Sequence, residues 1–271
     1  MKKILCLILL VLFAVGCATM QPEQIEDLKE KILKANSDVN SFKFKSTNKA
    51  LIETVNMTMK MDMEMEGAMD RSAKKMMVKG EMKMDDQSMP LETYSDGQFV
   101  YANNMGQWVK VKLEQDMFES QDQAKFFIDF MEQSEIEAEE AVFDNKPVYK
   151  IKVIPDKDAL LDLAQQNAPL PMQEQGMLED LFKDMQIIYY VDKDSFIAEN
   201  AEIRYEIAIE DLVMKNDMTF QMYDINKPVD VVIPEAAKDA VDLAKLQEQM
   251  AEEMTQDLPD LEELEAIEIE E

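Results

Sequence analysis

The sequence predicts an α+β fold: a strongly curved antiparallel sheet, or incomplete β-barrel, of about eight to nine strands wrapped around helices on its concave face. Three observations lead there. Apolar residues recur with period two in several long runs, the mark of half-buried strands. The stretches that interrupt those runs carry apolar residues at helical spacing. Neither an internal repeat nor an interdomain linker divides the chain, and 271 residues, 46% of them hydrophobic, suffice for a core.

The first seventeen residues, MKKILCLILLVLFAVGC, form a secretion signal. Lys2 and Lys3 supply its basic start, and the apolar stretch Ile4–Val15 is shorter than the roughly 20 residues a membrane-spanning helix needs. Small residues then run into Cys17. This ending resembles the bacterial lipoprotein signal, which implies cleavage before Cys17 and its acylation. Residues 1–16 are thus read as signal peptide, 17–40 as lipidated N-terminus and first helix, 41–257 as a single half-barrel domain, and 258–271 as an acidic tail. Cys6 is discarded with the signal, so no internal disulfide is expected.

Each element has its own signal. Pro22, Ile25, Leu28, Ile32 and Leu33 place a helix over 21–40. Met57 to Met65 alternate with Thr58, Lys60, Asp62 and Glu64 as a strand, and Met76, Val78, Met82 and Met84 mark the next. Asp96-Gly97 and Asn103–Gly106 are turns between strands near 91–94, 99–101 and 108–113. Phe126, Phe127, Phe130 and Met131 stripe a helix over 120–133. Two strands flank Asp144–Pro147 and end near Ile154, and Asp156 caps a helix carrying Leu160, Leu161 and Leu163. A short helix follows over 177–182. Strands resume at 186–192, at Ala201–Ile209 and at Met214–Met222. After Pro234 an amphipathic helix is expected over 235–256, and the tail beyond it is read as disordered.

Composition excludes whole classes of function. There is no histidine, which removes the commonest general base, most zinc sites and the Ser-His and Cys-His nucleophile systems. None of the six glycines has phosphate-loop or dinucleotide spacing. With 28 basic against 57 acidic residues the chain carries −29, so nucleic acid is not an expected partner; the mature form, with 26 basic residues, carries −31. Asp192–Ser195 faintly suggests a calcium loop but lacks its glycine and is read as a hairpin turn. No catalytic constellation, cofactor motif or metal site emerges, and the protein is not expected to be an enzyme. A monomer is expected, anchored extracytoplasmically to a cell membrane or envelope through Cys17.

Two segments carry a family resemblance. Asp96-Gly97-Gln98-Phe99-Val100-Tyr101 with Gly106-Gln107-Trp108-Val109-Lys110 resembles a paired hairpin, and Asn226–Glu235 (NKPVDVVIPE) resembles a closing segment, both of the LolA/LolB and LppX/LprG lipoprotein superfamily. The resemblance covers most of residues 21–240. It implies a half-barrel whose hydrophobic cavity holds lipid acyl chains, in lipid or lipoprotein transfer. LolA-type carriers are soluble, whereas this chain reads as anchored, which favours a receptor, loader or fixed binding role.

Twenty-four methionines, of which only Met1 leaves with the signal, fall largely on one face of the expected strands. Three readings stay open: plain core, a deformable lining for acyl chains, or soft-sulfur ligands for Cu(I) if neighbouring strands contribute. The candidate ligand-binding residues are Met59, Met61, Met63, Met76, Met82, Met84, Ile203, Tyr205, Ile207, Met218, Phe220 and Met222, with Trp108 as a rim aromatic or as turn packing. The alternative to ligand binding is a structural or interaction lipoprotein, its concave face plugged by Phe126, Phe127, Phe130, Leu160 and Leu163.

Overall fold

The computed structural model describes residues 20–113 apart from 86 and 105, residue 118, residues 130–156, residue 160, and residues 182–243 apart from 210. Cys17, most of the expected second and third helices, and the acidic tail lie outside the described residues.

The first helix, α1 (Pro22–Ser37), starts where proline costs no hydrogen bond, and the Gln21 backbone N–H donates to Gln24 Oε1 at 2.9 Å. Its apolar stripe buries Leu28 and Ile32. The strands follow as β1 (Ser41–Glu53), β2 (Thr58–Asp70), β3 (Lys75–Met84), β4 (Gln87–Ser95), β5 (Phe99–Asn104), β6 (Gln107–Lys112), β7 (Ser134–Phe143), β8 (Lys146–Pro155), β9 (Phe182–Asp192), β10 (Ala198–Ile209) and β11 (Leu212–Tyr223). A four-residue helix α2 (Glu235–Lys238) leads to β12 (Val241–Asp242).

All twelve strands belong to one large, open, curved sheet in the order β12-β6-β5-β4-β3-β2-β1-β11-β10-β9-β8-β7. Pairing is antiparallel except for the two-residue contact of β12 with β6. Twelve strands replace the eight or nine expected; β1 and β12 have no counterpart in the expected strands, and β9 is longer than expected. β1 escapes the sequence pattern because Ser46 and Asn48 interrupt its apolar row. Phe182, read as the end of a helix, instead begins β9. The helix expected over 235–256 is interrupted after Lys238: Ala237 and Ala240 are buried, and Val241 and Asp242 pair with β6, while residues 244–256 lie outside the described residues.

Local chemistry sets the turns. Asp144 and Asn145 take positive φ of 50° and 63°, as a two-residue hairpin between Phe143 and Lys146 requires. The Asp96 carboxylate accepts the Gln98 and Phe99 N–H groups at 2.9 and 2.8 Å and the Tyr101 hydroxyl at 2.9 Å. Partial burial alone would raise that carboxyl; the backbone donors and Tyr101 outweigh it and hold it below the usual carboxylate range. The Asp192 carboxylate likewise accepts the Asp194 and Ser195 N–H groups and the Ser195 hydroxyl, so the segment 192–195 is a hairpin turn.

Two meanders meet at β1 and β11, which pair from Lys43 opposite Tyr223 to Glu53 opposite Val213. Apolar side chains share one face through both meanders. Over β7–β10 that face is covered: Leu28 and Ile32 of α1, with Phe130 and Met131, pack on Ala138, Ile151, Val153, Ile187 and Val191.

Candidate functional site

The same apolar face continues across β10, β11, β1, β2 and β3, and here the expected site residues gather. Register sets Met61 opposite Met84, Met63 opposite Met82, and Met76 opposite Met69. Met59 lies opposite Ile52 of β1. On the other side of β1, Phe220 faces Ser46 and Met222 faces Phe44. Ile203, Tyr205 and Ile207 then lie opposite Met218, Asn216 and Met214. Twelve of the thirteen candidates therefore occupy one continuous face.

Trp108 does not join them. It sits on the opposite face with Tyr94, Met77, Tyr101 and Ala68, and the segment Val229–Ile233 packs over that group. Its ring centroid is 5.9 Å from that of Tyr94. The two motifs of the sequence resemblance thus meet each other: the hairpin supplies the aromatics and the closing segment supplies their cover. Asn226 secures the strap, accepting the Asn40 N–H at 2.7 Å and donating its own N–H to the Ser41 carbonyl at 2.7 Å.

Sequence reading missed the centre of the face. Phe42, Phe44, Ala50 and Ile52 of β1 lie between β2 and β11. Phe44 and Phe220 stack with centroids 5.5 Å apart. The Phe44 ring occupies the space over Gly67, where a Cβ would come within 2.5 Å of it. A period-two search tolerant of two polar residues would have found this strand.

The face is apolar but not closed. Met59, Met61, Met63, Met65, Met82, Met84 and Met89 are all half-buried; among the described residues Met131 is the one buried methionine. From Ala201 onward on β10, and throughout β1, β2, β3 and β11, it carries no charged side chain among the described residues. Its polar members are Ser46, Asn48, Asn216 and Tyr205. Ser46 and Asn216 are buried to 5% and 4% exposure. Asn48 Oδ1 and Asn216 Nδ2 are buried and have no hydrogen-bond partner. Burial raises the Tyr205 phenol, keeping it neutral.

The opposite face carries the charge. Lys45, Thr47, Glu64, Glu66, Lys79 and Glu81 line a cleft of about 390 Å³ there. Lys79 pairs with Glu92 at 3.0 Å and lies 5.7 Å from the Tyr94 ring centroid; hydrogen bonds to Tyr94 and Glu92 raise its pKa. No group of three His, Cys, Asp or Glu side chains suited to a metal ion occurs among the described residues. Among those residues, no helix is long and apolar enough to cross a membrane.

A model described as a family of unknown function, DUF6612, matches residues 24–242. No curated protein matches the sequence. Among solved structures the chain is similar to LprF from Mycobacterium bovis, at 13% identity over 80% of this chain and 99% of that one, with a TM-score of 0.45. It is also similar to a Vibrio parahaemolyticus domain described as outer membrane lipoprotein-sorting (8% identity, 79% and 96% covered, TM-score 0.26). A third is a beta-barrel-like DUF1849 protein from Brucella abortus (8% identity, 69% and 100% covered, TM-score 0.30).

Proposed function

We propose that this chain, which belongs to the DUF6612 family, is a lipid-anchored extracytoplasmic protein that takes up the acyl chains of a lipid on its methionine face. The carrying observation is the uncharged face itself, built from half-buried, unbranched methionines across β2 and β3 and bordered by Phe44 and Phe220. Thioether side chains adapt to ligands of variable shape. Burial alone supplies the binding energy: at about 25 cal/mol per Å², enclosing one acyl chain contributes several kcal/mol without a charged contact. The role is binding, in lipid or lipoprotein transfer, and not bond-making.

Anchoring rests on the signal that ends in Cys17. Cys17→Ser is expected to release the protein from the membrane fraction or leave it unprocessed; normal membrane-bound protein would refute the anchor. Extraction under native conditions followed by lipid mass spectrometry tests the ligand. A ligand-free protein that also fails to take up added lipid would refute the binding role.

A second reading has its own support. Phe130 and Leu160, two of the residues expected to plug the concave face, are buried. On that reading the protein is structural, and the added lipid finds no free surface. A Cu(I) role draws on Met63, Met82 and Met89, which the register sets side by side on three strands. Titration with Cu(I) and Ag(I) decides it: a soft-sulfur site should bind more tightly than about micromolar.

A further inference from the structure

The two unpaired amide atoms have a consequence for what the face binds. Asn48 lies on β1 opposite Met218, and Asn216 lies on β11 opposite Ala50, so the two are diagonal neighbours on adjacent strands. Tyr205 flanks Asn216 from β10. Around them stand Met61, Met63, Met218 and Phe220, none of which can complete their hydrogen bonds through a side chain except weakly through sulfur. A buried polar atom left without a partner is costly, and native structures rarely keep one without a use. Here one acceptor, Asn48 Oδ1, and one donor, Asn216 Nδ2, are left over together, on a face whose other polar side chains among the described residues of β1, β2, β3, β11 and, from Ala201 onward, β10 are Ser46 and Tyr205.

We infer that this pair reads the head of the bound lipid, and that the head is uncharged and offers both a carbonyl and an O–H. The inference rests on the acyl-binding role proposed above. An ester carbonyl accepts from Asn216 Nδ2, and an adjacent hydroxyl donates to Asn48 Oδ1, while the chains run over the methionines on either side. A diacylglycerol carries this combination. An ionised head does not suit the site, because no charged side chain on this face among the described residues would pair with it, and burying an unpaired charge is far more costly than burying a neutral group.

The test displaces a fluorescent apolar probe from the full chain, extracted in mild detergent, with four lipids that share their chains. These are dioleoylglycerol, its 3-O-methyl ether without the O–H, the ether-linked dioleylglycerol without the carbonyls, and dioleoylphosphatidylglycerol. Dioleoylglycerol is expected to displace the probe at several-fold to about tenfold lower concentration than each of the others, the range for one or two net hydrogen bonds. Asn48→Leu should abolish the discrimination against the methyl ether alone, and Asn216→Leu the discrimination against the dioleyl ether alone. Both variants replace an unpaired amide by an apolar group of similar size, so thermal unfolding at or above wild type is expected. Equal displacement by all four lipids on the wild type overturns this inference and leaves the acyl-binding role standing, whether or not the variants fold. Displacement by none of them overturns both.

Discussion

Under α1, between β7 and β9, Val153 and Val191 are fully buried and Ile187 nearly so. On the same face of the same sheet, across β2 and β3, every methionine from Met59 to Met84 that points to that face is half-exposed. The covered half uses branched aliphatic side chains, which are stiff and hold one packing arrangement. The open half uses the most adaptable apolar side chain available. One sheet thus carries a shape-specific core at one end and a deformable surface at the other. Where a helix supplies a fixed partner, rigid side chains stabilise the fold; where no described element does, flexibility is retained.

The largest effect that would break this contrast is on stability. Ile187→Ala or Ile32→Ala, each leaving a cavity beneath α1, should cost about 2–5 kcal/mol in urea unfolding, and Met63→Ala no more than about 1.5, because its side chain is already half in solvent. Equal losses would mean that the methionine half is a closed core. The next effect comes from overfilling the open half beneath the Phe44 ring. Gly67→Ala puts a Cβ against both the Phe44 ring and the Met77 carbonyl, and should cost about 1–3 kcal/mol. Adding Phe44→Leu should recover only part of this, since the carbonyl stays in place.

Alkaline pH separates the halves further. Burial pushes the Tyr189 phenol, beneath α1, up to about 12. Below pH 10 both folded and unfolded chains keep that proton and its contribution is complete. Between about 10 and 12 the unfolded chain releases it and the folded chain does not, so stability falls as pH rises. Tyr189→Phe should flatten that slope more than Tyr205→Phe in the open half, measured as unfolding midpoints across this window. The smallest effect is expected at the C-terminus. Deleting residues 258–271 should leave stability within about 1 kcal/mol of wild type, as for surface changes that remove no core contact. A larger loss would show that Leu261, Leu264 and Ile267 cover part of the methionine face.

The strands that were legible in the sequence are those whose two faces meet different solvents along their whole length. Met59 to Met65 on β2 and Ile203 to Ile207 on β10 alternate strictly with charged residues, so period two is visible without a partner. β1 lies in the middle of the sheet and was not legible, because Ser46 and Asn48 break its apolar row; the residues that hide the strand are also the polar members of the candidate site. Trp108 could be assigned to a turn region but not to a face, since alternation says only that neighbours point opposite ways.

What the sequence determined by itself was therefore local: the acidic balance, the lack of histidine, and the alternating faces of the long strands. Tertiary structure decided the rest. The pairing of β1 with β11 joins segments far apart in the chain, and the burial of Trp108 depends on a strap that begins beyond Tyr223. The break after Lys238 depends on the pairing of Val241 with Val109. Periodicity records which side of a segment avoids water, but the partner that covers it is set by contacts between residues distant in sequence, and a local pattern carries no record of those.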